Sequence, residues 1–131
     1  MAASSGKLNL PPGTGRAGEA AARAYVVEQL GYSITETNFR TREGEIDIVA
    51  ADDGMIVFIE VKTRTNRKFG AGVEQISNTK AERLQATAQR YLSQHDLDNA
   101  DWRIDLLSVE MDRQGRVQHV EYIRYAIEDQ G

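Results

Sequence analysis

Two short segments hold acids and an amine at spacings suited to chemistry: Gly44 to Ala51 (GEIDIVAA) and Met55 to Lys62 (MIVFIEVK). Both are rich in β-branched residues, and Asp52-Asp53-Gly54 separates them. An Asp-Gly pair between two such runs is a strong hairpin signal. With Asp53 and Gly54 as the turn, Asp52 faces Met55, Asp47 falls opposite Glu60 and Glu45 opposite Lys62. Side chains alternate along a strand, so Glu45, Asp47 and Val49 are expected on one face with Phe58, Glu60 and Lys62. Directly opposed Cβ atoms stand about 4.5–5.5 Å apart. The pattern therefore predicts three carboxylates and one ammonium gathered at one end of a hairpin.

The rest of this hairpin is apolar. Val49 meets Phe58 and Ala51 meets Ile56, while Ile46, Ile48, Val57, Ile59 and Val61 fill the reverse face. Strands apolar on both faces are central strands. Close carboxylates repel, and burial penalises each charge. A divalent cation relieves both costs, and Mg²⁺ is commonly held by one or two carboxylates with water and substrate phosphate. Lys62 would then sit beside the cation, placed to orient or help deprotonate a water, or to neutralise charge growing on a phosphate. That inventory is the one needed for metal-assisted phosphodiester hydrolysis. The competing reading is a surface ion-pair ladder of small energetic value. The apolar surroundings weigh against the ladder.

These residues need a scaffold. Residues 1–15 are rich in Ser, Gly and Pro and read as a flexible tail, leaving 16–131 as a single domain. A helix is predicted from about Arg16 to Leu30, with Ala17, Ala20, Ala21, Ala24, Val27 and Leu30 as its apolar stripe and Gly31 as its stop. Tyr32 to Phe39 reads as a strand preceding the hairpin. Thr63 to Gly72 is polar and basic and reads as a loop. A second helix is predicted from about Val73 to Ser93, burying Ile76, Leu84, Ala88, Tyr91 and Leu92. Trp102 to Met111 and Val117 to Tyr125 read as late strands that turn near Gln114-Gly115. The order predicts an α/β domain with a mixed sheet flanked by helices.

GEIDIVA and MIVFIEVKTR together resemble the two halves of the PD-(D/E)xK nuclease motif. More narrowly, residues from about Gly15 to Tyr125 resemble the YraN family of small bacterial proteins with a restriction-endonuclease-like fold. The resemblance implies an αβββαβ core and a site that binds Mg²⁺ or Mn²⁺ through Asp47 and Glu60, with Lys62 as the motif lysine. It also maps an acid of the resolvase-like branch onto Glu19. Ile46 stands where the motif has proline. DNA is the implied substrate, with branched or structured DNA implied by analogy to resolvases. Cleaving both strands needs two cuts, which makes a symmetric homodimer the expected assembly. A DNA-binding accessory protein with a vestigial site is the alternative, and an interaction module using the acidic C-terminal quarter is a third reading.

Several residues outside the hairpin carry two readings each. Glu19 is a metal ligand or water anchor, or else an i,i+4 partner of Arg23. Gln75 touches substrate or the active-site lysine, or is simply solvated. Lys80 falls on the second helix's apolar stripe, where a charge is unexpected; it reaches a phosphate or snorkels to water. Arg64, Arg67 and Lys68 follow the Glu-x-Lys strand and suit backbone phosphates, with Arg42 and Arg40 extending that surface; otherwise they keep a loop soluble. Asp105 is expected to pair structurally with Arg124. His95 and His119 lie apart from the acids, and Trp102 reads as core.

Composition bounds these readings. The chain has 131 residues, a net charge of −4 and no Cys, which excludes disulfides, thiolate zinc sites and Cys nucleophiles. Residues 1–95 carry 12 basic and 11 acidic groups, whereas 96–131 carry 4 and 9. The acidity thus belongs to the C-terminal quarter, and net charge does not exclude nucleic acid. No apolar run approaches the roughly 18 residues of a membrane span, and the N-terminus lacks a signal-peptide pattern. A cytoplasmic location without membrane contact is the expectation.

Overall fold

A computed structural model describes residues 14–65 and 76–127. Its elements are α1 (Thr14–Ala24) with a π-helical continuation (Tyr25–Gln29), β1 (Ser33–Arg40), β2 (Glu45–Asp52), β3 (Met55–Thr65), α2 (Asn78–Gln94), β4 (Trp102–Met111) and β5 (Val117–Ile127). The five strands form one sheet in sequence order. All neighbours are antiparallel except β3 and β4, which run parallel and are joined by the α2 crossover. This is a mixed sheet flanked by helices, consistent with the αβββαβ core, with β5 added at its edge.

Each face of the sheet has its own core. Ala22 and Val26 from the first helix pack with Ile48, Ala50, Val57, Ile59, Val61, Leu107 and Val109. On the other face Leu84, Ala88, Tyr91 and Leu92 from α2 pack with Phe39, Ile46, Val49, Phe58 and Ile104. Such two-sided burial explains the near-continuous apolar runs in β2, β3 and β4. Trp102 is partly buried and packs against this core, its ring edge-on to Phe58 with centroids 5.8 Å apart.

The β2–β3 register is the predicted one from Asp52↔Met55 through Ile48↔Ile59. Asp53 and Gly54 both take positive φ (53° and 90°), as a two-residue primed turn requires. Ser77 caps α2 by accepting from the Lys80 backbone N–H, so the helix starts later than Val73. β3 runs on to Thr65, which places Arg64 on a strand rather than in a loop. The predicted tail falls almost entirely outside the described residues, and Arg67, Lys68 and Gln75 do as well.

The α1 stripe is corrected. Ala17, Ala20 and Ala24 are exposed and Val27 is half exposed. The buried line is Gly18, Ala22 and Val26, flanked by Ala21, Tyr25 and Leu30. Alanines crowd this helix on every side, so their spacing fixes no face. The π turn, closed by Leu30 N–H donating to the Tyr25 carbonyl, then resets the phase. Gly18 belongs to the buried line because it must. A Cβ there would meet the Thr63 Cγ2 and Oγ1 at 2.6 Å.

Candidate metal and phosphodiester site

The antiparallel ladder stops where the acids begin. Beyond Ile48↔Ile59 no further β2–β3 pair forms. Instead the Val61 backbone N–H donates to the Asp47 Oδ2 at 2.7 Å. A side-chain oxygen takes the place of a main-chain acceptor, so the Asp47 carboxylate fills the opening between the strands. It lies beside the peptide nitrogen that joins Glu60 to Val61.

Alternation breaks at the same point. Ile48 faces α1 but Ile46, two residues earlier, packs on the α2 side with Phe39. A matching irregularity lies in β1. Asn38, flanked by the pairs Thr37↔Ile48 and Phe39↔Ile46, has φ 54°. A left-handed residue inside a strand reverses which side chains face which way, and Asn tolerates that conformation better than most. Asp47 therefore lines a small cleft with Glu19, Arg23, Asn38, Ile48 and Val61, under α1.

Glu60 points the other way. It shares the Phe58 face, is only 6% exposed, and its Oε2 meets the Lys80 Nζ of α2 at 3.1 Å. Lys80, unexpected on an apolar stripe, is thus there to meet a buried carboxylate. Glu45 departs from the expected cluster. Its carboxylate pairs with Arg40 Nε at 3.4 Å, and the two residues are direct partners across β1 and β2. The four hairpin groups therefore do not share one face: Asp47 fills the strand gap, Glu60 faces α2 and Glu45 is drawn to β1. Lys62, half-buried, lies opposite Ser108 of β4 in the parallel ladder.

Carboxylate oxygens are the donor type that a hard divalent cation takes. Asp47 and Glu60 offer carboxylate oxygens from the two strands that separate here, and an ammonium already stands at Glu60. Among the described residues no three acids or histidines are arranged to hold a metal. Mg²⁺ asks for less than that, since it keeps several waters and uses one or two carboxylates. Glu19 comes to the Asp47 cleft together with Arg23, so both of its readings meet at one place. The histidines stay apart: His95 stacks on Tyr91 with ring centroids 4.0 Å apart, and His119 lies 4.0 Å from Glu121.

Two positions escaped the sequence reading. Gly18 lets α1 approach β3 closely enough to bring Glu19 over the cleft. Its signal was a lone glycine in a helix, which carries a helix-propensity cost of about 1 kcal/mol and so asks for a reason. Arg103 is the second. Asp105 pairs with it, not with Arg124, through Nε contacts of 3.1 and 2.9 Å. The two stand at i and i+2 on one strand, a spacing that shares a face.

Relatives match over most of this sequence. The profile of the "Uncharacterised protein family UPF0102" matches residues 18–109. A UPF0102 protein of Moorella thermoacetica is 46% identical over 112 residues, covering 86% of this chain and 92% of the relative. One from Roseiflexus castenholzii is 40% identical over 113 residues, covering 86% and 90%. One from Chloroflexus aurantiacus is 42% identical over 114 residues, covering 86% and 91%. No helix among the described residues is long and apolar enough to cross a membrane. With a mixed five-stranded sheet, the Asp47 and Glu60 hairpin and this coverage, the chain belongs to the UPF0102, or YraN, family.

Proposed function

We propose that the protein is a metal-dependent endonuclease acting on DNA phosphodiesters, with branched or structured DNA as its preferred substrate. The observation that carries this reading is the local opening of the sheet. Two central strands part at Asp47, whose carboxylate accepts the Val61 N–H at 2.7 Å beside the buried Glu60. A fold gains little by ending its hairpin ladder on a partly buried acid unless the acid is used.

Asp47 and Glu60 would hold Mg²⁺ or Mn²⁺. Such an ion supplies Lewis acidity to a phosphoryl oxygen and a more acidic bound water. Asp47 is fixed by the Val61 N–H, so its carboxylate is preorganised. Lys62 orients the attacking water or steadies charge on the phosphate, and Glu19 anchors water from the α1 side. Glu45 supports the site indirectly, by tying β1 to the start of β2 through Arg40. Lys80 neutralises Glu60 until substrate and cation arrive. Arg64 follows Lys62 on β3, where it extends the cationic surface toward the phosphates.

One observation favours a second reading, a DNA-binding accessory protein with a vestigial site. Glu60 already has a cation in Lys80, and the described residues hold no three-acid group. One assay separates the two. Purified protein is incubated with linear, flap and four-way DNA in Mg²⁺ and in Mn²⁺, beside Lys62→Ala. An enzyme cuts or nicks at least one substrate, and the variant binds without cutting. An accessory protein binds all of them with no cut product in either metal.

A further inference from the structure

Four groups lie outside the Asp47 cleft, on the α2 side of the sheet. They begin with Lys80. On α2, positions 80, 83, 87 and 90 fall on one side of the helix at spacings of three and four. They are Lys80, Arg83, Thr87 and Arg90, and all three cationic members are exposed.

Contacts fix the course of this row. Lys80 Nζ reaches Glu60 of β3 at 3.1 Å. A Cβ built on Gly44, at the head of β2, would stand 3.2 Å from Thr87 Oγ1 and 3.6 Å from the Arg83 Cβ. Arg90 reaches Glu43 in the β1–β2 turn at 2.6 Å. Helix α2 therefore crosses the sheet from β3 to that turn, and its cations follow the sheet end outward from Glu60. Arg40 and Arg42, both exposed, stand on the turn side of the same row.

The turn is rigid. Thr41 N–H donates to the Gly44 carbonyl at 2.8 Å and Glu43 N–H to Thr41 Oγ1 at 3.1 Å. The two acids at hand are already committed, Glu43 to Arg90 and Glu45 to Arg40. Glu82 is exposed on α2 but lies about 100° around the helix from Arg83. Arg42 and Arg83 show no side-chain partner among the described residues.

We infer that Arg40, Arg42, Lys80, Arg83 and Arg90 form a phosphate track that seats one strand of a nucleic-acid duplex and leads it to Glu60. This rests on the nuclease reading and deepens it by assigning the surface that takes the backbone. Its size fits. Lys80 to Arg90 spans about 15 Å of helix, enough to meet a few successive phosphates of one strand. The track reads backbone and carries no base readout, which suits recognition of shape over sequence. Arg42 and Arg83 are its available cations, while Arg40 and Arg90 hold their acids and still have donors to spare, since a guanidinium carries five.

The test is fluorescence anisotropy with a labelled 20-bp duplex and a labelled four-way junction, from 50 to 200 mM salt and without divalent metal. The wild-type chain is compared with Arg42→Ala/Arg83→Ala and with Arg113→Ala/Arg124→Ala, which removes two exposed cations from the β4–β5 side. The track variant should lose on the order of fifty-fold in affinity at 0.1 M salt and about two from the salt slope. The control pair should lose less than about threefold. Arg42→Lys/Arg83→Lys should restore most of the binding, which also excludes a folding defect. Equal losses in both double variants, or none in the track variant, overturn the track while leaving the nuclease reading standing. No binding by the wild-type chain at 50 mM salt overturns both.

Discussion

The sheet holds two sets of buried charge, and they are built on opposite principles. Asp105, with no exposed surface, is saturated: Arg103 donates to both its oxygens, the Tyr122 hydroxyl donates a short bond, and the Tyr125 N–H donates at 2.9 Å. Arg103 is itself held by the Tyr32 hydroxyl at 2.7 Å, near Asp52 at 3.6 Å, and lies over the rings of Tyr32 and Tyr125. At the other set, Glu60 has Lys80, which is half exposed, and Asp47 spends one oxygen on a backbone N–H beside a cleft. A closed network fixes a structure. An acid that ends a strand ladder beside a cleft, as Asp47 does, leaves room for a ligand. Buried acid alone does not mark a site; its place beside a cleft and the exposure of its partner do.

The largest contrast is in stability. Asp105→Ala strands the Arg103 guanidinium in the interior and should cost about 3–5 kcal/mol in urea unfolding. Glu60→Ala frees a lysine that is already half in water and should stay within about 1 kcal/mol. Similar losses at both positions would erase the distinction between the two sets.

Gly18→Ala comes next, because the Thr63 side chain is buried and β-branched and has little freedom to give way. Overpacking of this kind should cost about 1–3 kcal/mol and lift α1 from β3. Thermal melts and the cleft's amide shifts report both effects.

A smaller effect is tied to pH. Burial first, then the Asp105 carboxylate, holds the Tyr122 phenol well above its ordinary value of 10.0. A raised folded value means the contribution is complete below pH 10.0 and is lost as the pH climbs beyond it. The unfolding free energy should therefore fall above that pH, and Tyr122→Phe should make the fall shallower. In an ultraviolet titration of the folded chain, Tyr122 should stay protonated until unfolding.

The smallest effect is at the β1–β2 turn. The Arg90 guanidinium, helped by the Thr41 hydroxyl, holds the Glu43 carboxyl down at about 2. Its contribution is present above the ordinary value of 4.5 and is lost as the pH falls toward 2. Arg90→Ala should return Glu43 to the usual carboxylate range in a carbon-detected NMR titration.

Much of the architecture was legible because β2, β3 and β4 are apolar on both faces and the Asp53-Gly54 turn sets one register. The α2 face was legible for a related reason: Leu84, Tyr91 and Leu92 are large enough for their spacing to mean something. The α1 face was not, since alanines surround that helix and the π turn shifts its phase. At the site, the hairpin predicted which acids approach one another but not how they point. Strict alternation put Asp47, Glu45 and Glu60 on one face. The alternation breaks beside Asn38 of the neighbouring strand, and nothing within β2 signals it. Lys80 stood out as a charge on an apolar stripe, and its partner proved to be Glu60. The Arg103–Asp105 pair was missed because an arginine two residues from an acid reads as solvated until both prove buried.

Mn²⁺ binding in the absence of DNA, followed by electron paramagnetic resonance, addresses the central assignment most directly. One Mn²⁺ per chain is expected, with affinity lowered at least about tenfold in Asp47→Ala and in Glu60→Ala and unchanged in Arg42→Ala/Arg83→Ala. Undiminished Mn²⁺ binding by Asp47→Ala and Glu60→Ala, or none by the wild-type chain, would contradict it.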